Sequence, residues 1–295
     1  MSLSPALRIV TLLLISFAPS IAYAEEAARK VTFDRDVIYG HKAGMALTFD
    51  VIKPENANGA AVLFMVSGGW VSIWAPPETI VRPNAKGANP WEQIVDKGYT
   101  LFLVRHGSSP YFKVPDAVSD VRRAVRYIRL HADKWGIDHE RIGVIGGSAG
   151  GHLTLMLSTT ADDGNKNASD EVERQASRIR AGVAWFPPTD LQNFQKLKQQ
   201  FPALDFEQKQ IQDVSPLAHV TTDDAPVFLA HGAKDELVPL SESEAIVEKL
   251  KEAKVEHDLL VIPGAGHSFN GDGMEKVMSG SLGWFDRHLL PKKDK

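Results

Sequence analysis

The length, composition and charge of the chain are those of a globular protein. It has 295 residues, of which 43% are hydrophobic and 24% are charged, which excludes a disordered or fibrous chain and is enough for one large hydrophobic core or two small ones. The formal net charge is -4 and no basic stripe could neutralise a row of phosphates, so nucleic acid is not an expected partner.

The first residues are typical of a secretory signal peptide. Arg8 precedes an apolar stretch that is too short to span a bilayer, and Ala22 and Ala24 are the small residues of a cleavage site. We therefore predict a signal peptide over residues 1–24 and one domain over residues 25–295. The protein is then periplasmic or secreted, without stable membrane insertion after cleavage. The alternative is a membrane anchor or a buried helix.

Strand-like and helix-like stretches alternate along the rest of the chain. The first two are typical of a half-exposed hairpin: VTFDRDVIYG and ALTFDVIKP. Short runs rich in Val, Leu, Ile and Phe follow, as in strands buried on both faces: AAVLFMV, YTLFLV, RIGVIG, AGVAWF, APVFLAHG and HDLLVIPG. Stretches with helical apolar spacing lie between them: DAVSDVRRAVRYIRLHADKWG, GGHLTLMLSTT, SESEAIVEKLKEAKV and KVMSGSLGWFDRHLL.

This order predicts an α/β fold with a mostly parallel sheet, an antiparallel start and helices on both faces. No repeat or Pro/Gly/Ser linker divides the chain. Residues 190–224 are rich in Gln and Lys with scattered Phe, and they form either a small lid or a polar excursion. Because the sequence contains no cysteine, disulfides, thiolate zinc sites and a cysteine nucleophile are excluded.

Ser148 lies among glycines at the end of a predicted strand. Residues 146–150, GGSAG, fit the motif G-x-S-x-G, with a predicted strand before and a predicted helix after, as a nucleophile elbow requires. Small neighbours let the strand and helix approach, and the helix N-terminus favours negative charge beside the serine. The alternatives are a helix cap by Ser148 and a phosphate or dinucleotide loop, but the motifs of such loops do not match.

A serine nucleophile needs a base and an acid that orients the base. Asp235 follows one late predicted strand, and His267 lies on a Gly-rich loop after the next. Glu236 is the alternative acid. Three other histidines are expected to form structural hydrogen bonds near this site: His106, His152 and His231.

Two N–H donors are also needed for an oxyanion. Ala149 follows the serine directly, and the stretch SGGW, residues 67–70, ends an early predicted strand or forms a simple turn. We expect Trp70 and Trp74 to line one side of the substrate pocket, with packing of the loop onto the domain as the alternative.

Together these motifs resemble the α/β-hydrolase superfamily, in particular its esterase/lipase branch with hormone-sensitive-lipase-like and bacterial acetylxylan/feruloyl-esterase-like enzymes. The resemblance rests on SGGW, DAVSDVRRAVRYIR, GGSAGGH, SPLAHV, LAHGAKDELVP and GAGHSF. It implies an α/β-hydrolase fold with at most a small lid. It further implies these roles: Ser148 as nucleophile, His267 as base, Asp235 as its orienting acid, and Gly68, Gly69 and Ala149 as oxyanion donors.

Two departures from the family pattern affect the oxyanion loop and its neighbour. Ser67 stands where the family usually has histidine, and VRHGSSP replaces a usual Tyr-Arg pair.

We expect an exported serine hydrolase that cleaves carboxylic esters through an acyl-enzyme, with no metal and no organic cofactor. Its substrate would be a small-molecule ester or an acylated carbohydrate, such as an acetylated or feruloylated one. The alternatives are a serine peptidase related to prolyl oligopeptidase and a non-catalytic binding module on the same scaffold.

Overall fold

The described part of the chain contains one eight-stranded sheet. The computed structural model describes residues 30–81 and 89–291. The strands are β1 Val31–Lys42, β2 Met45–Pro54, β3 Ala61–Met65, β4 Thr100–Val104, β5 Ile142–Gly147, β6 Ala181–Trp185, β7 Val227–Gly232 and β8 His257–Ile262. Their order in the sheet is β1-β2-β4-β3-β5-β6-β7-β8. The predicted signal peptide, residues 1–24, lies outside the described residues.

The sheet is antiparallel at its start and parallel elsewhere. β1 pairs with β2 and β2 with β4 in antiparallel register, whereas every later neighbouring pair is parallel. Parallel strands place their carboxyl ends at the same edge, so the loops after β3, β5, β7 and β8 can meet there. The predicted fold class is confirmed by this arrangement.

The helices within the described residues cover both faces of the sheet. They are α1 Glu92–Asp96, α2 Val114–Leu130, α3 Ala132–Trp135, α4 Ala149–Thr159, α5 Leu240–Glu252 and α6 Gly271–Leu289. The long helical stretch predicted over residues 116–136 is interrupted at His131, whose φ of -109° and ψ of 22° are not helical. In the described ranges, none of the helices combines the length and hydropathy that a membrane crossing needs.

The side chains of β3 alternate between two hydrophobic cores. Ala61, Leu63 and Met65 pack with α2, α3 and α4. Val62 and Phe64 pack on the other face, with α1 and α6. Because both faces are covered, β4 is buried along its whole length, which explains its continuously apolar sequence TLFLV.

β1 is the first strand of the sheet and is irregular. Its register with β2 shifts between Asp34 and Val37 and again between Ile38 and Gly40. Asp36 lies in the first irregularity with a φ of 51°. Such bulges bend the strand locally and interrupt its hydrogen-bond ladder.

Residues 190–224 form a series of short 3-10 turns that pack onto the core shared by α2 and α4. Their inward side chains are Leu191, Phe194, Ala203, Leu204, Ile211 and Val214. The Glu242 carboxylate of α5 holds the start of this segment, since it accepts hydrogen bonds from the N–H groups of Thr189 (2.8 Å) and Asp190 (3.0 Å). The segment is therefore attached to the helix layer, and its buried apolar side chains do not fit the second of the two alternatives, a merely polar excursion.

Candidate active site

A sharp elbow between β5 and α4 presents Ser148. Its φ of 55° and ψ of -121° are unusual for a residue with a side chain, and its N–H donates to the Trp185 carbonyl at 2.9 Å. The elbow depends on close backbone approach. A Cβ on Gly146 would lie 2.4 Å from the Gly150 carbonyl, and one on Gly150 would lie 2.7 Å from the Met65 oxygen.

Three side chains from the loops after β5, β7 and β8 form one hydrogen-bonded chain. His267 Nε2 lies 2.8 Å from Ser148 Oγ, and His267 Nδ1 lies 2.7 Å from Asp235 Oδ2. The structure thus brings together the nucleophile, base and acid that the sequence predicts. Glu236 is exposed and does not replace Asp235 in this contact.

The hydrogen bonds fix the tautomer of His267. An ionised carboxylate only accepts, so the Nδ1–H donates to Asp235 and the Nε2 lone pair accepts the Ser148 hydroxyl hydrogen. This is the state in which an imidazole can take a proton from a serine.

Backbone groups hold the Asp235 carboxylate in place. Its side chain is fully buried, and its Oδ1 accepts from the N–H groups of Leu237 (3.0 Å) and Val238 (2.9 Å). Sequence reasoning missed these donors, which lie only two and three residues further along the chain. A carboxylate followed by such N–H groups is a recognisable turn signal.

His231 is a buried neighbour of the Asp235 carboxylate. Its Nε2 lies 2.8 Å from the Val238 carbonyl and its Nδ1 lies 2.7 Å from Ser243 Oγ. Burial lowers the pKa of His231, against the opposing effects of Val238 and Asp235. The ring is therefore neutral at physiological pH and donates through Nε2, in agreement with a structural role.

Phe186 was also missed by sequence reasoning. It follows β6 at the same edge of the sheet, with a φ of 37°, and its ring centroid lies 4.6 Å from that of His267. Its position directly after a buried strand is the signal that could have identified it. The ring supplies an apolar wall next to the imidazole.

The loop after β3, residues 66–72 and called the β3 loop below, differs from the expectation at Gly68. The Gly68 N–H donates to the Val71 carbonyl at 3.1 Å, and the Val71 N–H donates to the Gly68 carbonyl at 3.0 Å. That N–H is thus already engaged and is not a free oxyanion donor. Among the described residues, the N–H groups of Gly69 and Ala149 have no such acceptor. Gly69 has a φ of 57°, and a Cβ there would lie 2.9 Å from the Phe201 ring.

Trp70 anchors the β3 loop to α4. Only 4% of its surface is exposed, and its Nε1–H donates to His152 Nδ1 at 3.3 Å. The pocket-lining expectation for Trp70 is therefore wrong, and the packing alternative holds. Trp74 is 57% exposed and lines a cleft of about 500 Å³ together with Ser72 and Tyr111.

A second, apolar cavity lies on the other side of this segment. It has a volume of about 380 Å³, and Ser67, Val71 and Ile73 are among its lining residues. Residues 71–74 alternate, because the odd positions line the apolar cavity and the even positions line the cleft. The backbone of residues 71–74 therefore separates the apolar cavity from the cleft.

Ser148 and the side chains next to it supply a hydroxyl, an imidazole and a carboxylate in one hydrogen-bonded chain. In the described ranges, no group of three or more histidine, aspartate and glutamate side chains is arranged to hold a metal ion. The arrangement of nucleophile, base, acid and free N–H groups is that required for acyl transfer.

Comparisons with known proteins give a consistent family. A family model described as BD-FAE matches residues 49–250. Probable carboxylic ester hydrolase LipM of Mycobacterium tuberculosis is 26% identical over 259 residues, which are 82% of this chain and 57% of that protein. The chain thus spans little more than half the length of this curated relative.

Two solved structures share the fold. A truncated carbohydrate esterase from gut microbiota has a TM-score of 0.70 and 22% identity, over 88% of this chain and 98% of that chain. An acetyl ester-xyloside bifunctional hydrolase from Caldicellulosiruptor lactoaceticus has a TM-score of 0.68 and 22% identity, over 85% of this chain and 93% of that chain. They confirm the predicted α/β-hydrolase fold.

Proposed function

The chain belongs to the BD-FAE family, in the esterase/lipase branch of the α/β-hydrolases, and from that premise we propose that it is an exported serine hydrolase of carboxylic esters. The observation that carries the proposal is the hydrogen-bonded chain from Ser148 through His267 to Asp235, with distances of 2.8 and 2.7 Å. Both contacts already have the lengths that proton transfer needs.

The reaction proceeds in two acyl-transfer steps. Ser148 Oγ attacks the ester carbonyl while His267 Nε2 takes its proton. The tetrahedral oxyanion accepts hydrogen bonds from the N–H groups of Gly69 and Ala149. His267 then gives the proton to the leaving alcohol, and the acyl-enzyme remains. A water molecule, deprotonated by the same nitrogen, attacks the acyl group and releases the acid and the free serine.

Asp235 supports this cycle without exchanging a proton. It holds the Nδ1–H tautomer of His267 and stabilises the imidazolium that forms during each attack. Its burial and its two backbone donors keep the carboxylate in position for this task.

We propose a small-molecule ester or an acylated carbohydrate as the substrate. The names of the similar proteins support this choice, because they include a carboxylic ester hydrolase, a carbohydrate esterase and an acetyl ester-xyloside hydrolase. The exposed Trp74, two residues beyond the β3 loop, offers a flat apolar surface on which a sugar or aryl ring can pack.

A p-nitrophenyl ester series from acetyl to decanoyl tests the reaction, with the purified protein beside its Ser148→Ala variant. We expect turnover by the parent protein, loss of turnover in the variant, and labelling of Ser148 by a fluorophosphonate probe. Ser119→Ala is the matched control, because Ser119 is exposed on α2. Turnover of aminoacyl amides in preference to esters would favour a peptidase. A folded protein without turnover or labelling would favour a binding module.

Export is tested separately. The proposal that the protein is periplasmic or secreted rests on residues 1–24, and it predicts that the exported chain begins at Glu25. Mass spectrometry of the N-terminus after cell fractionation measures this. An uncleaved chain in the cytoplasmic fraction would contradict it.

A further inference from the structure

A second serine–histidine contact lies next to the candidate site. Ser67 Oγ in the β3 loop is 2.8 Å from Nε2 of His106, which belongs to the loop after β4, residues 105–109 and called the β4 loop below. His106 is 5% exposed. Both residues stand at the two positions where the sequence departs from the family pattern.

The donor and acceptor of this contact follow from the other ring nitrogen. His106 Nδ1 lies 2.8 Å from the Gly107 carbonyl, which only accepts, so Nδ1 carries the hydrogen. Burial lowers the pKa of His106, and the ring is neutral. Nε2 therefore has a lone pair, and the Ser67 hydroxyl donates to it.

Further hydrogen bonds tie the two loops together on both sides of Gly69. The His106 N–H donates to Ser72 Oγ at 3.1 Å, and that hydroxyl donates to the Val66 carbonyl at 2.5 Å. The Ser109 N–H donates to the Trp70 carbonyl at 3.1 Å. Residues on either side of Gly69 are thus attached to the β4 loop.

The β4 loop is itself fixed to the buried parts of the fold. The Gly107 N–H donates to Asp120 Oδ2 at 2.9 Å, and Asp120 is 2% exposed and paired with Lys42 at 2.5 Å. On the other side of His106, Arg105 pairs with the fully buried Asp50 at 2.6 Å. His106 therefore projects from a rigid support.

We propose that the Ser67–His106 pair positions the Gly69 N–H for the oxyanion, so that His106 is a positioning residue of the reaction although it does not touch the substrate. The inference rests on the proposed ester hydrolysis. An oxyanion donor contributes most in the transition state, so an error in its placement lowers kcat and leaves substrate binding largely unaffected.

Steady-state kinetics of Ser67→Ala, His106→Phe and the double variant test the pair on p-nitrophenyl acetate. We expect kcat to fall about tenfold in each single variant, with KM within about twofold of the parent value. The double variant should lose no more than the more affected single variant, because the two residues act through one contact. Ser67→Thr retains the hydroxyl and should restore most of kcat, and Ser119→Ala should leave kcat unchanged.

Hydrogen–deuterium exchange at the Gly68 amide gives a readout that does not depend on turnover. The Ser67 contact holds the loop in which this N–H is bonded, so exchange should be about tenfold faster in Ser67→Ala and His106→Phe, at unchanged global stability. Urea unfolding of each variant measures that stability.

Two results would overturn the positioning role. One is unchanged kcat and unchanged Gly68 exchange in Ser67→Ala. The other is a double variant whose kcat loss is the product of the single losses. If the parent protein turns over no ester and Ser148 is not labelled, the proposed function fails, and the exchange experiment still decides whether the pair orders the loop.

Discussion

The buried ring of His231 lies 3.5 Å from the same Asp235 oxygen that receives the His267 Nδ1 hydrogen. The single N–H of the neutral His231 is donated to the Val238 carbonyl, so the ring places no positive charge next to the carboxylate. The negative charge of Asp235 is therefore available to the imidazolium of His267. Buried in this way, the Asp235 carboxylate acts chiefly on His267, by fixing its tautomer and stabilising its positive charge.

Replacing Asp235 by asparagine should abolish most of the activity without unfolding the protein. The amide would favour the wrong tautomer of His267, and we expect kcat to fall by about 10³ to 10⁴. Esterase kinetics with a thermal unfolding curve measure this. Glu236→Gln is the matched control and should lose little, because Glu236 is exposed. A larger loss of kcat in Glu236→Gln than in Asp235→Asn would show that Glu236, and not Asp235, orients His267.

Alanine at the two glycines of the β3 loop should have unequal effects. A Cβ on Gly68 meets no atom within 4 Å, whereas one on Gly69 meets the Phe201 ring at 2.9 Å and the φ of Gly69 is 57°. We expect Gly69→Ala to lower kcat by about 10² and Gly68→Ala to have the smaller effect. Equal losses would contradict this difference in space and backbone conformation between the two positions.

Acid should destabilise the fold through His152. Burial lowers the pKa of this ring to about 4, although the bond from Nε2 to the Val214 carbonyl opposes the shift. Below the ordinary value of 6.5 the unfolded chain binds a proton that the folded chain does not. The contribution of this ring to the free energy of unfolding is therefore fully present above about pH 6.5. It decreases by about 3 kcal/mol as the pH falls from about 6.5 to about 4.

The His152→Gln variant isolates that contribution. Glutamine does not titrate, and it can still bond to Trp70 and Val214. Urea unfolding at several pH values should give a slope that is smaller than in the parent protein by up to about 1.4 kcal/mol per pH unit between pH 4 and 6.5. Parallel curves for the two proteins would show that His152 does not carry this pH dependence.

The ion pair that supports the β4 loop should contribute strongly to stability. Asp50 is fully buried, so Asp50→Asn leaves the Arg105 charge without its main partner and should cost about 3 to 5 kcal/mol. Asp36→Asn is the control. The Asp36 side chain is 60% exposed and 3.4 Å from Arg105, and its loss should cost less than about 1 kcal/mol. Urea unfolding measures the free energy of unfolding of both variants. Similar losses in Asp50→Asn and Asp36→Asn would contradict a dominant role of the buried Asp50–Arg105 pair.

The sequence predicts the fold well because its signals are local. The continuous apolar runs of β4, β6 and β7 reflect burial on both faces, and the order of Ser148, Asp235 and His267 follows the strands that carry them. Each of these features lies within about ten residues of a strand end. The roles of the three residues stay predictions that the kinetics above will test.

The remaining features depend on contacts between distant parts of the chain. Trp70 meets His152 across 82 residues, and Ser67 meets His106 across 39. Neither contact has a local pattern, since a tryptophan after two glycines is equally compatible with a pocket wall and with a packed anchor. The same reason applies to residues 190–224, whose place is set by Glu242 of α5.

The irregular first strand has an expected consequence for self-association through the open edge of the sheet. An open strand edge is a template for pairing with a second chain, and that pairing leads to aggregation. The two register shifts in β1 prevent an unbroken ladder, and the exposed charges of Arg35 and Asp36 lie at the first of them. Straightening this strand would therefore be expected to cost solubility at high concentration before it cost any activity.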